Sequence, residues 1–290
     1  MQYEAFKYLI LEKLQDHFQS SKQITIQEII KNNGCKYDGL VILDEGLNIA
    51  PTLYLQYYYE LYQDGTSFKE VFEELLGNYE ANRPTTSIDV TFFTDFEQVK
   101  ERIVFQLVNY DKNQALLKQI PHIPYLNLAI IFKCMVYSDM TGNASILIHN
   151  QHMERWNINT AQLLELAKQN TPKLLPCTLR SLESLLGSST LLTIPGQYPM
   201  YILTNELKLH GASCILYPNL LKELSKHTDS SFYILPSSIH EVLLLPACDK
   251  DSIQELSCLV KEVNCTQVSD TEILSDNAYY YDKDIDDISM

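Results

Sequence analysis

Apolar residues at the start of the chain recur with helical spacing. Tyr3, Phe6, Ile10, Leu14 and Phe18 fall three or four apart, which predicts a helix with one face turned to a core. The period drops to two in QITIQEII, the pair Asn33-Gly34 follows, and YDGLVIL resumes the apolar run. This order predicts a β-hairpin from about Gln23 to Leu43, because Asn-Gly readily supplies the positive φ of a tight turn. Pro51 suits the first position of a helix, and Leu53, Tyr54, Tyr57, Tyr58 and Leu61 form its apolar stripe up to Asp64-Gly65. Ser67 with Glu70 and Thr94 with Glu97 have capping-box spacing. The first opens a helix that turns Val71, Leu75 and Tyr79 inward, the second one that turns Val99, Ile103, Leu107 and Tyr110 inward. IDVTFF between them alternates as a short strand.

The second half changes texture. Leu126–Tyr137 and Ala144–Ile148 are expected strands around a SDMTGN turn, and Asn159 opens a helix through Leu163 and Ala167. Met200–Thr204 and Ala212–Tyr217 are expected strands, Pro218 starts a helix, and Phe232–Leu235 and Glu241–Leu245 are strands again. A last helix, Asp251–Val263, turns Ile253, Leu256, Val260 and Val263 inward. Both stretches read as hairpin, helix, strand. GNASILIHN at 142–150 resembles HGASCILYPN at 210–219, either through duplication or as two similar amphipathic hairpins. The expected class is α+β. A helix-rich region with a β-hairpin covers 1–118, an antiparallel sheet region of two hairpin-helix-strand units covers 119–267, and a tail covers 268–290. Leu128, Ile130, Phe132, Ile146, Ile148, Ile202, Ile215, Phe232, Ile234, Val242 and Leu244 are the expected core face of the C-terminal sheet.

Charge adds to this picture. Lys and Arg total 22 against 37 Asp and Glu, a net charge of −15, of which the last 23 residues carry −6. Such a chain repels phosphate backbones, so direct nucleic-acid binding is not expected, and a basic protein partner is the better complement. The tail is a solvated end or a partner-binding segment. Its three adjacent tyrosines favour docking of Glu272–Leu274 and Tyr279–Tyr281, with Asp282–Met290 left in water. Charges interrupt the first 18 residues, so no signal-peptide core is expected, and the apolar runs are too short to span a membrane. Seven cysteines without a CxxC pair argue against a disulfide framework and for a reducing cytoplasm.

The ordered blocks NNGCKYDGLVI at 32–42, NIAPTLYL at 48–55, FFTDFEQVKERI at 92–103 and PHIPYLNLAIIF at 121–132 carry a family resemblance. SILIHNQHMERW at 145–156, AKQNTPKLLP at 167–176, YILTNELKLHGAS at 201–213, FYILPSSIHEVLLLP at 232–246 and EVNCTQVSDTEILSD at 262–276 extend it. Together they resemble a bacterial family described as domain of unknown function 5688. The C-terminal blocks are also similar to domain of unknown function 1444. The resemblance implies a cytoplasmic bacterial protein and brings no activity or catalytic residue with it.

Several constellations bear on chemistry. His149 and His152 lie one helical turn apart and could share a metal, with His122, Cys134 or Asp139 as a third ligand; equally, they are surface or capping histidines. Ser238, His240 and Glu241 are the residue types of a hydrolytic triad, and His122 and His152 are further acid–base candidates. Pro-Ser-Ser is also a tight-turn sequence, and GxSxG is absent. Thr204-Asn205 and Asn170-Thr171 face a common cleft or cap their elements. Trp156 lines a pocket or anchors a helix. Tyr54, Tyr57, Tyr58 and Tyr62 stack a ligand or pack against the core. No phosphate loop is present, and no cofactor is expected. Two classes stay open: a non-enzymatic binding or regulatory protein, and a hydrolase-like or metal-dependent enzyme with a site between the two C-terminal units.

Overall fold

Alternating isoleucines and an Asn-Gly turn produce the expected hairpin. β1 (Lys22–Ile30) pairs antiparallel with β2 (Lys36–Asp44), placing Ile24 against Ile42 and Ile26 against Leu40. Asn33 takes the left-handed conformation at φ 62°. The computed structural model describes residues 1–19, 21–85, 87, 91–138, 142–181, 200–247 and 252–290. Two compact units emerge. The first holds 1–31, 35–90 and 137–143; the second holds 32–34, 91–136 and 144–290.

In the first unit α1 (Tyr3–Phe18) buries Phe6, Ile10 and Leu14, the predicted stripe. Pro51 does not open a helix. β3 (Thr52–Tyr54) intervenes and pairs Leu53 with Leu40, because a third strand buries Leu53 and the helix can still start directly after it at Leu55. α2 (Leu55–Gln63) and α3 (Phe68–Asn82) follow, the latter with its capping box from Ser67 and Glu70 formed. Leu40, Ile42, Leu55, Tyr58, Val71, Leu75 and Tyr79 complete this core with α1. At its margin Lys22 bonds Asp44 at 2.5 Å and the Tyr79 hydroxyl at 2.6 Å. Burial alone would raise the Asp44 carboxyl, but hydrogen bonds from Lys22, Arg83 and Tyr79 hold it below the usual range.

The second unit corrects a helix. Asp95, not Thr94, caps α4, which lasts only from Phe96 to Val99, and β4 (Ile103–Asn109) follows. The segment IVFQLVN is buried on both faces. Such a strand has no alternation, and its apolar positions fit a helical stripe by coincidence. Of the expected strand IDVTFF, residues 88–90 lie outside the described residues and Thr91–Thr94 forms a 3-10 turn. After α5 (Gln114–Leu117) come β5 (His122–Tyr125), β6 (Leu128–Ser138) and β7 (Gly142–Leu147). β4, β6 and β5 form one sheet, with β7 also on β6. The expected boundary near 118 therefore falls inside this unit, since β4 pairs with β6 along its full length.

α6 (Asn150–Trp156) and α7 (Thr160–Leu174) lead to β8 (Cys177–Ser181) and β9 (Tyr201–Asn205). Ala212–Tyr217 is not a strand: Gly211–Leu216 is a 3-10 segment, so the second hairpin-helix-strand unit does not form, and GNASILIHN and HGASCILYPN differ in structure. α8 (Leu220–Thr228), β10 (Phe232–Pro236), β11 (Val242–Pro246), α9 (Ile253–Gln267), β12 (Tyr279–Asp282) and β13 (Asp287–Ser289) complete the chain. The second sheet runs β13-β12-β10-β11-β9-β8. Its inner face, with Leu203, Phe232, Ile234, Val242, Leu244, Tyr279 and Tyr281, shares one core with Phe105, Leu107, Leu128, Ile130 and Phe132 of the first sheet. The arrangement is α+β with antiparallel pairing.

Nine of the eleven expected core residues are buried; Ile146 and Ile202 are half-buried. Pairing of Val242 with Leu203 turns Leu203 inward and Ile202 to the other face. In α9 Val263 is exposed and Asn264 is buried in its place, donating to the Ser275 carbonyl at 2.9 Å. The tail docks as expected through Ile273, Leu274, Tyr279 and Tyr281, but its last residues are not all in water: β13 pairs with β12 and buries Ile288.

β4 is an edge strand inside the unit, and side chains satisfy its outer edge. Phe105 N–H donates to Thr171 Oγ1 at 3.1 Å, and Leu107 N–H donates to Ser213 Oγ at 2.9 Å. Asn170 Nδ2 donates to the carbonyls of Lys100 and Ile103. Ser213→Ala leaves a buried N–H unpaired and should cost about 1–3 kcal/mol, read from the urea midpoint, with faster amide exchange at Leu107. Tyr279→Ala removes a fully buried ring and should cost about 3–5 kcal/mol in the same assay; an unchanged midpoint would show that the tail adds nothing to stability.

Candidate functional site

A lone charge interrupts the apolar run of β6, and the register decides its surroundings. Lys133 pairs with Val104, which places it on the sheet face opposite Phe132 and Cys134. Two apolar clusters flank it there. One contains Val108, Ala129 and Ile131, the other Val104, Met135 and Leu175. Gln106, two residues from Val104, shares this face, and its buried Oε1 has no partner among the described residues.

The loop after β9 brings a histidine to this lysine. Lys208 and His210 both adopt positive φ, 52° and 53°, and turn the chain back. Asn205 closes the turn from both sides, accepting the Leu209 N–H at 3.1 Å and donating to the Leu209 carbonyl at 2.8 Å. Gly211 then passes so close that a Cβ would lie 2.2 Å from Thr204 Oγ1 and 2.5 Å from the His240 carbonyl oxygen. His210 Nε2 sits 3.1 Å from Lys133 Nζ. A donating ammonium requires a bare Nε2, so the ring proton is assigned to Nδ1, and Nδ1 is buried without a partner. The His240 ring stacks on His210 with centroids 5.4 Å apart. Its Nδ1 lies 3.2 Å from the His210 N–H and 3.1 Å from the Lys208 carbonyl, and its Nε2 lies 4.0 Å from Glu272 Oε1.

Electrostatics follow from burial. Desolvation pushes the Lys133 ammonium down to about 8, with no carboxylate pairing it among the described residues. Burial, then the nearby charge of Lys133 and then His240, lowers His210 to about 2, so its ring is neutral throughout the physiological range. Cys134 on the other face is a buried thiol raised to about 12 by burial.

The residues nominated from sequence are placed as follows. Ser238 Oγ accepts the His240 backbone N–H at 2.9 Å, and Ser238 N–H donates to the Glu241 carbonyl at 3.2 Å, so Ser238 and Glu241 shape the turn between β10 and β11. The carboxylate nearest the His240 ring is that of Glu272, not Glu241. His152 Nδ1 accepts the His149 N–H at 2.9 Å at the start of α6, and its ring packs on Phe93 and Trp156. His122 Nδ1 meets the Ile120 carbonyl at 3.2 Å. Asp139 lies outside the described residues, and among these no group of three or more His, Cys, Asp or Glu is placed to hold a metal. Thr204 donates to the His240 carbonyl at 2.7 Å; with Asn170, Thr171 and Asn205 it holds backbone rather than lining a shared cleft. Trp156 is buried and donates to the Phe93 carbonyl, anchoring α6. In the tyrosine stripe Tyr58 is buried and bonded to Asn78, and Tyr57 donates to Glu74. A cleft of about 660 Å³, lined by Ser231, Tyr233, Tyr280 and Lys283 among others, includes none of the nominated residues.

Lys133, His210 and Glu272 were not nominated from sequence. A signal existed for the first: Lys133 is the sole charge in LAIIFKCMVY. None existed for the others: His210 meets His240 through the turn at Gly211, and Glu272 through the bond from Ile239 N–H to its carbonyl.

The chain belongs to the family of unknown function DUF5688, whose model matches residues 3–283. No curated protein and no solved structure matches it. No helix among the described residues is long and apolar enough to cross a membrane.

Gly211→Ala forces a Cβ into the Thr204 side chain and the His240 carbonyl. It should destabilise the protein by about 1–3 kcal/mol and shift the His240 ring signals in an NMR spectrum; a native-like spectrum would show that the turn is not what positions the histidines.

Proposed function

We propose that this member of the DUF5688 family is a non-enzymatic binding or regulatory protein of the bacterial cytoplasm, and that its partner is a basic protein. The observation that carries this reading is the β12–β13 turn. There Ile285 is 70% exposed between Asp284 and Asp286, with Asp287 beside them. The buried Tyr279, Tyr281 and Ile288 hold this turn on the sheet, so its carboxylates and apolar tip form a fixed surface. An apolar tip ringed by acids complements a basic protein surface with an apolar notch, where Coulomb attraction sets the encounter rate and burial of the tip adds affinity. The net charge of −15 supports the same partner class. The engagement of Ser238 and Glu241 in a turn and of His152 in a cap supports binding over hydrolysis.

The test compares the native chain with a triple variant, Asp284→Asn, Ile285→Ser and Asp287→Asn. A basic protein retained by the native chain, once purified, should bind it with an affinity that falls as salt rises and about tenfold more weakly to the variant. Equal binding to both would reject the turn as the interface. Ester or phosphate-ester hydrolysis that disappears in Ser238→Ala would replace this reading with the hydrolase.

A further inference from the structure

Lys133 and His210 carry two costs that no structural gain in their surroundings offsets. The first is a half-buried ammonium whose one partner among the described residues is a neutral ring nitrogen. Its remaining two N–H donors have no protein partner, and no carboxylate balances the charge, among the described residues. The second is the His210 Nδ1–H, buried and unpartnered because the lysine occupies Nε2. Buried polar groups are ordinarily paired, and adjacent exceptions mark places where a fold serves something other than its own stability. Two apolar clusters interrupted by a cation make little sense as core, since an apolar side chain at 133 would join them.

We propose that Lys133 anchors an oxyanion ligand, a carboxylate or a phosphate, with the neutral His210 and the stacked His240 forming the wall of its site. Two ammonium N–H groups remain for the ligand once the third is held by His210, which fixes their direction. The neutral ring is suited to this role, because it accepts from the ammonium without adding a competing positive charge. His240 is partly exposed, and Glu272, 4.0 Å from its Nε2, would disfavour an anion that reaches past the ring. Desolvation that lowers the Lys133 amine in the empty protein would be offset by the bound negative charge, so ligand binding and protonation are linked. The inference does not depend on the β12–β13 surface, and either can fail alone.

The experiment uses the full chain, with inorganic phosphate and acetate as separate probes and chloride as control. Calorimetry should give one site for phosphate or for acetate, and which probe saturates identifies the ligand class. In a chain labelled with [13C]lysine, the Lys133 side-chain signal should titrate at higher pH with that probe than in chloride. Lys133→Met, which removes the charge and keeps the chain length, should weaken binding by about tenfold or more. His210→Phe, which keeps a ring against His240, should weaken it by about threefold or more and serves as the second variant should Lys133→Met fold poorly. Lack of saturation by either probe up to about 20 mM, or equal binding by native chain and both variants, would overturn the proposal.

Discussion

The second unit depends on one constraint: β4 is buried on both faces, so its outer backbone groups must find partners without a neighbouring strand. Phe105 and Leu107 present their N–H groups away from β6, and Thr171 and Ser213 receive them. Each hydroxyl comes from a different element. Thr171 belongs to α7 and also donates to the Ala167 carbonyl, so the helix is held against the strand by a side chain that satisfies both. Ser213 belongs to the 3-10 segment, whose tight turns let a short loop reach the strand edge. A further strand at this edge would have paired the same groups but displaced both elements.

That solution determines where the histidines go. Once Ser213 is tied to Leu107, Gly211 must pass under Thr204 and the His240 carbonyl, and only a residue without Cβ passes there. His210, one position earlier, is then delivered over β6 beside Lys133, while the β10–β11 turn brings His240 onto its ring. Ile239 N–H donates to the Glu272 carbonyl and fixes the turn from its other side. A hydrogen bond made to close a strand edge thus sets the geometry of the lysine–histidine cluster, in which Lys133 Nζ and His210 Nε2 lie 3.1 Å apart.

This explains what could and could not be read from sequence. Elements whose signals are local were legible: the stripe of α1, the Asn-Gly hairpin, the capping box of α3 and the start of α7 at Asn159, which accepts from the Gln162 N–H. Elements defined by tertiary contacts were not. β4 lacks alternation because both faces are covered, so its spacing fitted a helix. The Gly211–Leu216 run is apolar because it is buried, not because it is extended. The site follows the same division. His240 stood out beside two serines, but the reason was a turn that Ser238 shapes. Lys133 and His210 are 77 residues apart, and no spacing rule links a strand residue to a loop residue that arrives through an edge-capping serine.

The tail applies the same logic to charge. Its three tyrosines alternate on a strand: Tyr279 and Tyr281 point into the core, and Tyr280 turns out to meet Tyr233. The period of two that buries aromatic rings also fixes where the neighbouring carboxylates emerge. Some are then balanced locally, Asp286 by Lys222 at 2.8 Å and by the Tyr281 hydroxyl, and Lys283 turns back to Asp229 at 2.6 Å. Asp284 and Asp287 stay exposed with no ion pair among the described residues and set the potential of this edge. Flexible acids would average their field over many positions; acids held by buried tyrosines present it in one place, which is what selective electrostatic recognition requires.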